Sequence, residues 1–75
     1  MSKIRTHLVK ALARKYEAEI AESKATMEIY LDNSVGIGEH PQHIEEMDKL
    51  LTKISNAQEN LDILEKHFDY DNIPF

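Results

Sequence analysis

The sequence predicts an all-α fold, an antiparallel hairpin of two long helices, and three observations carry that expectation. Apolar residues recur at helical spacing in both halves of the chain. No Gly or Pro interrupts residues 2–32, and the only two Gly residues lie at 36 and 38. Composition agrees, with 41% hydrophobic and 31% charged residues dominated by Ala, Leu, Ile, Glu and Lys.

The first helix is expected over residues 3–32. Val9, Ala13, Tyr16 and Ile20, then Met27 and Tyr30, recur at alternating steps of four and three, with Ser23 as the one polar interruption. Ile4, Leu8, Leu12 and Leu31 flank this seam. The second helix, expected over residues 41–68, repeats the pattern at His43, Met47, Leu50, Ile54, Ala57, Leu61, Leu64 and Phe68. Its steps run 4-3-4-3-4-3-4, the spacing of a coiled-coil seam. Leu50, Ile54, Leu61 and Leu64 are therefore expected to face Val9, Tyr16, Ile20 and Met27. Between the helices, residues 33–40 form the hinge. Asn33 or Gly36 suits the left-handed end of the first helix. His40 is a weak N-cap and Pro41 suits the first turn of the second helix, with Glu45 and Glu46 near its positive end. Val35 and Ile37 are expected to tuck into the hairpin. Each helix should measure roughly 40–48 Å at 1.5 Å per residue. One buried face per helix makes a small core for 75 residues, so self-association into a bundle is a reasonable expectation.

Several function classes are disfavoured by composition. The chain has no Cys, which removes disulfides, thiolate metal sites and Cys nucleophiles. No apolar run approaches a bilayer span, and Met1-Ser2-Lys3 does not lead into a signal-peptide core, so a cytoplasmic protein with no membrane partner is expected. The net charge of −5 is unevenly spread. Residues 1–16 carry Lys3, Arg5, Lys10, Arg14 and Lys15 without an acid, and all fourteen acids follow.

Candidate sites divide into weak and plausible ones. Gly36-Ile37-Gly38 follows a helix rather than a strand and lacks both a third Gly and a Lys-Ser/Thr pair, so a turn is expected rather than a phosphate loop. His40 and His43 with Glu39 and Glu46 lack a fixed third strong ligand, and neither a metal nor any other cofactor is expected. His7 and His67 are expected near the open end of the hairpin, where nothing makes a nucleophile or a tuned base. Catalysis is not expected. Lys3, His7, Lys10 and Arg14, at steps of four, three and four, form one stripe opposite the seam. A solvated face has this appearance; so does a weak, salt-sensitive contact with nucleic-acid phosphates. No aromatic residue is interleaved to stack on bases.

The last seven residues, Asp69-Tyr70-Asp71-Asn72-Ile73-Pro74-Phe75, read as a flexible acidic-aromatic tail. Asp and Asn favour turns there, and Pro74 stops regular structure. Phe75 either folds back onto the helices or docks in another protein. With Phe68 before it, this stretch resembles the acidic C-terminal tip of bacterial single-stranded-DNA-binding proteins, which ends in Ile-Pro-Phe and docks on replication and repair proteins. By that resemblance Phe75 would fill an apolar pocket and its carboxylate would meet a basic residue. Ile73 and Pro74 would pack beside it, and Asp69 and Asp71 would face a basic rim. Asn72 departs from the acidic run, which weakens the electrostatic part.

A second resemblance spans more of the chain. Met27-Glu28-Ile29-Tyr30-Leu31-Asp32-Asn33-Ser34-Val35-Gly36-Ile37-Gly38-Glu39-His40-Pro41, followed by an acidic leucine-rich helix, is similar to small proteins of T-even-type bacteriophages encoded beside the UvsW helicase. That family implies a place in phage DNA recombination, repair and replication, with a phage or host protein such as a helicase as partner. The nucleotide-binding motifs of the helicase itself do not occur here. The expected function is a non-enzymatic accessory protein acting by protein contacts with weak DNA affinity. The alternatives are a structural or assembly adapter forming a helical bundle, and the small hairpin subunit of a nuclease.

Overall fold

A computed structural model describes residues 3–32 and 42–68, which form two helices in chain order: α1, Lys3–Asp32, and α2, Gln42–Phe68. No strand occurs among the described residues. The hinge with Val35, Ile37, His40 and Pro41, and the tail at residues 69–75, lie outside them.

Both helices follow from local chemistry. Ala11, Ala13, Ala18, Ala21 and Ala25 give α1 a run of the strongest helix former. Its ends oppose the helix dipole, because the first turn holds no acid and the last no base. In α2 the ends agree with the dipole, with Glu45 in the first turn and Lys66 and His67 in the last. Surface ion pairs link Arg14 to Glu17 at 2.8 Å, Lys15 to Glu19 at 2.8 Å and Lys49 to Glu46 at 3.4 Å. All are partly or fully solvated and screened by water, so each contributes little. Packing against the other helix must supply the rest.

Three contacts set the antiparallel register. The Arg5 guanidinium donates from Nη2 to the Phe68 carbonyl at 3.4 Å, joining the start of α1 to the end of α2. Midway, Lys53 Nζ approaches Glu22 Oε1 at 3.9 Å. Near the hinge, the Tyr30 and His43 rings lie tilted with centroids 5.2 Å apart. The Arg5 contact places a cation on the negative end of α2, a favourable arrangement that compensates for the poor dipole match of α1.

The core sits towards the open end of the hairpin. Val9, Ala13, Leu61 and Leu64 form one buried cluster, with Tyr16 and Ile20 packed against it. Ala13 and Ala57, at 0% and 1% exposure, give the seam its small residues, which let backbones approach closely. Ser23 is also buried, at 1% exposure. Towards the hinge the seam residues Met27, Tyr30, His43, Met47 and Leu50 are only half-buried.

The expected seam is thus observed, but several of its positions stop short of full burial. Ile54 is half-buried, and Phe68, at the end of the periodic run, is 48% exposed. Among the described residues, the two-helix layer places nothing on either side to cover such positions. The Cα radius of gyration is 16.3 Å. A compact domain of this length would have about 11 Å, so the molecule is long and thin.

Candidate protein-interaction surface

A single helical layer buries one stripe of each helix and leaves two broad faces in water. Val9, Ala13, Ala57, Leu61 and Leu64 are the buried apolar residues. Ile4, Leu8, Leu12, Ile29, Leu31, Ile44, Leu51, Ile63 and Phe68 are large apolar residues left exposed. Scattered exposed Leu or Ile is ordinary, whereas a contiguous apolar patch marks an interaction site.

One such patch is contiguous. A shallow groove of about 200 Å³ is lined by Leu12 and Tyr16 of α1 and by Asn60, Ile63, Leu64 and Phe68 of α2. Its volume falls below the ~300–1,000 Å³ of a small-molecule pocket, so another helix or chain fits it better than a ligand. Leu8 and Ile4 continue the Leu12 stripe along α1, because residues four apart are neighbours on one helix face. Towards the hinge, ion pairs of Lys15 with Glu19 and of Lys53 with Glu22 give the patch a polar border.

The expected basic stripe lies on α1 as read from the sequence. Lys3, His7 and Arg14 are exposed, and Lys10 is half-buried. Part of its charge is offset locally. Arg14 Nη1 donates to Glu17 Oε1 at 2.8 Å, and neighbouring Lys15 donates to Glu19 at 2.8 Å. The hydrogen bond and the charge of Glu19 hold the Lys15 ammonium above its ordinary pKa of 10.5, with Tyr16 adding slightly. Lys15 Nζ also lies 5.1 Å from the Tyr16 ring centroid. The basic end is therefore a mixed surface, less positive than its five cations suggest.

Other candidates resolve as follows. Asp69, Asp71, Ile73, Pro74 and Phe75 lie outside the described residues, as do Glu39 and His40. His43 packs at a tilt against Tyr30, consistent with a core-edge role. His67 packs edge-on against Phe68, with centroids 6.5 Å apart. Among the described residues no group of three or more His, Asp or Glu is placed to hold a metal, and no helix is long and apolar enough to cross a membrane.

Sequence reading missed the groove, although its signal was present. Ile4, Leu8 and Leu12 step by four, while Asn56, Asn60, Ile63 and His67 step by four, three and four without a formal charge. Two weaker periodicities beside a strong seam mark a second face, but only the helix pairing shows that they share one side. No protein-family model, curated protein or solved structure matches the chain.

Proposed function

We propose that this chain is a non-catalytic accessory protein of phage DNA recombination, repair and replication, acting in the host cytoplasm through contacts with other proteins. The observation that carries the interaction role is the excess, among the described residues, of large apolar side chains exposed over those buried in a hairpin one layer thick. The setting rests on the two sequence resemblances, and a UvsW-type helicase is the leading partner. In this reading Phe75 anchors a docking peptide, Ile73 and Pro74 pack beside it, and Asp69 and Asp71 complement a basic rim. One buried Phe side chain contributes about 1.5–3 kcal/mol, so docking also needs its acidic residues and weakens with salt.

Titration of isotope-labelled chain with the purified helicase, and separately with a protein that binds single-strand-binding-protein tips, tests this reading. Shifts at residues 69–75 that vanish when Pro74 and Phe75 are removed are expected. A spectrum unchanged by either protein would overturn it. A second reading, an assembly adapter with no DNA role, is favoured by the ion pairing of Arg14 and Lys15, which mutes the basic face. Fluorescence anisotropy with branched and single-stranded DNA separates the two. The accessory reading expects weak, salt-sensitive binding that is lost when Lys3, Lys10 and Arg14 are all replaced by Glu. The adapter reading expects none at low salt.

A further inference from the structure

We infer that the groove face carrying Leu8, Leu12, Ile63 and Phe68 is the interface of a two-fold dimer, a four-helix arrangement in which α1 of one copy lies over α2 of the other. The starting observation is that this face is apolar at its centre and poor in charge. On α2 its stripe runs through Asn56, Asn60, Ile63 and His67, with no formal charge at neutral pH. On α1 it runs through Ile4, Leu8 and Leu12, and Lys15 at its border is held by Glu19. Depletion of charge at the centre with a polar border is the composition of protein interfaces.

The area fits a second copy of this chain. Ile4, Leu8, Leu12, Ile63 and Phe68 are 74%, 60%, 42%, 44% and 48% exposed. Four of the five are smaller than an aromatic side chain, so taking each at the ~150 Å² lower figure for an aromatic gives on the order of 400 Å² of apolar surface. That lies within the range monomers leave open and below the ~800 Å² per partner of a standard interface. Polar neighbours on the same face supply part of the remainder. The dimer is therefore weak and concentration-dependent.

Charge selects which helix lies on which. Residues 3–16 hold five cations and no acid, whereas residues 55–68 hold Glu59, Asp62 and Glu65 against Lys66. Stacking α1 on α1 would oppose two segments that stay net positive even after Arg14 pairs with Glu17 and Lys15 with Glu19. A two-fold axis running along the hairpin instead sets α1 over the acidic end of α2, and keeps neighbouring helices antiparallel as within one copy. The groove then covers itself, with Leu8 near Ile63 of the second copy. The exposed amides of Asn56 and Asn60 face the join, where a polar residue favours one register over its neighbours.

Sedimentation equilibrium of the whole chain over a hundredfold range of concentration tests the inference. The apparent mass should rise from one chain to two. Leu8→Lys and, independently, Ile63→Lys should each weaken association roughly tenfold or more while leaving helical circular dichroism intact. Leu51→Lys, an exposed apolar position outside the groove lining, should leave it unchanged. Orientation is read by oxidative cross-linking, which the absence of native Cys makes clean. Leu8→Cys chains mixed with Ile63→Cys chains should form mixed disulfides in preference to Leu8→Cys pairs. A single-chain mass throughout the range, or association lost with Leu51→Lys and kept with Leu8→Lys, would overturn the interface. Preferential Leu8→Cys pairing would overturn the stacking of α1 on α2.

Discussion

Replacing Ser23 by Ala should stabilise this protein, an unusual sign for a change at a fully buried site. Ser23 is 1% exposed on the seam of α1, and its Oγ has no hydrogen-bond partner among the described residues. Leaving a buried hydroxyl unsatisfied costs about 1–3 kcal/mol. Ala is also the better helix former, by roughly half a kcal/mol. Against these gains stands the small void left by one oxygen, on the order of 0.2–0.3 kcal/mol for ~10 Å³ at about 24 cal/mol per Å³. The balance is a gain of about 1–3 kcal/mol, or roughly 5–25 °C in Tm for a domain of this size. Thermal and urea unfolding followed by helical circular dichroism would measure it, at one fixed protein concentration so that the inferred dimer, whose formation would raise apparent stability, does not enter the comparison. A sterically matched pair isolates the hydroxyl: Ser23→Val should be more stable than Ser23→Thr, since the two differ in shape only slightly. If Ser23→Ala destabilises the chain, or the Thr variant outranks the Val variant, the hydroxyl is satisfied and the reasoning fails.

Three further outcomes follow from the same packing. Leu61→Ala, at a core position 7% exposed, should cost about 2–3 kcal/mol, the lower part of the usual range because a single layer can relax. Leu51→Ala, at 53% exposure, should stay within ~0.5 kcal/mol in the same urea titration, and equal losses would sink the core assignment. Arg5→Ala should fray the last turn of α2, seen as faster amide exchange there, at a cost of roughly 0.3–1 kcal/mol. Lys15 should titrate by NMR above the ordinary lysine value of 10.5, and Glu19→Gln should bring it back towards that value. Because its folded pKa is the higher one, the Lys15–Glu19 contribution is fully present below pH 10.5 and is lost as pH rises through the folded value.

Local chemistry by itself determined the two helices and the stripe each would bury. The four-and-three spacing from Val9 to Tyr30, and from His43 onward, names one face of each helix wherever the partner lies. The absence of Gly and Pro up to residue 32 lets α1 run unbroken from Lys3 to Asp32. The same periodicity could not say how deeply each position would sink. Ile54 and Phe68 occupy seam positions as regular as Leu61, yet they remain half-buried and exposed because burial depends on what stands opposite and beside them. Ser23 reads in sequence as a break in the seam, and only packing against α2 turns it into a buried, unpartnered hydroxyl. Likewise, the five cations near the start of α1 predict a basic stripe. Geometry then commits Arg5 to the end of α2, Arg14 to Glu17 and Lys15 to Glu19. The groove is the clearest case: its residues come from two distant stretches of the chain, and no local pattern relates Leu12 to Ile63 until antiparallel pairing brings them to one face.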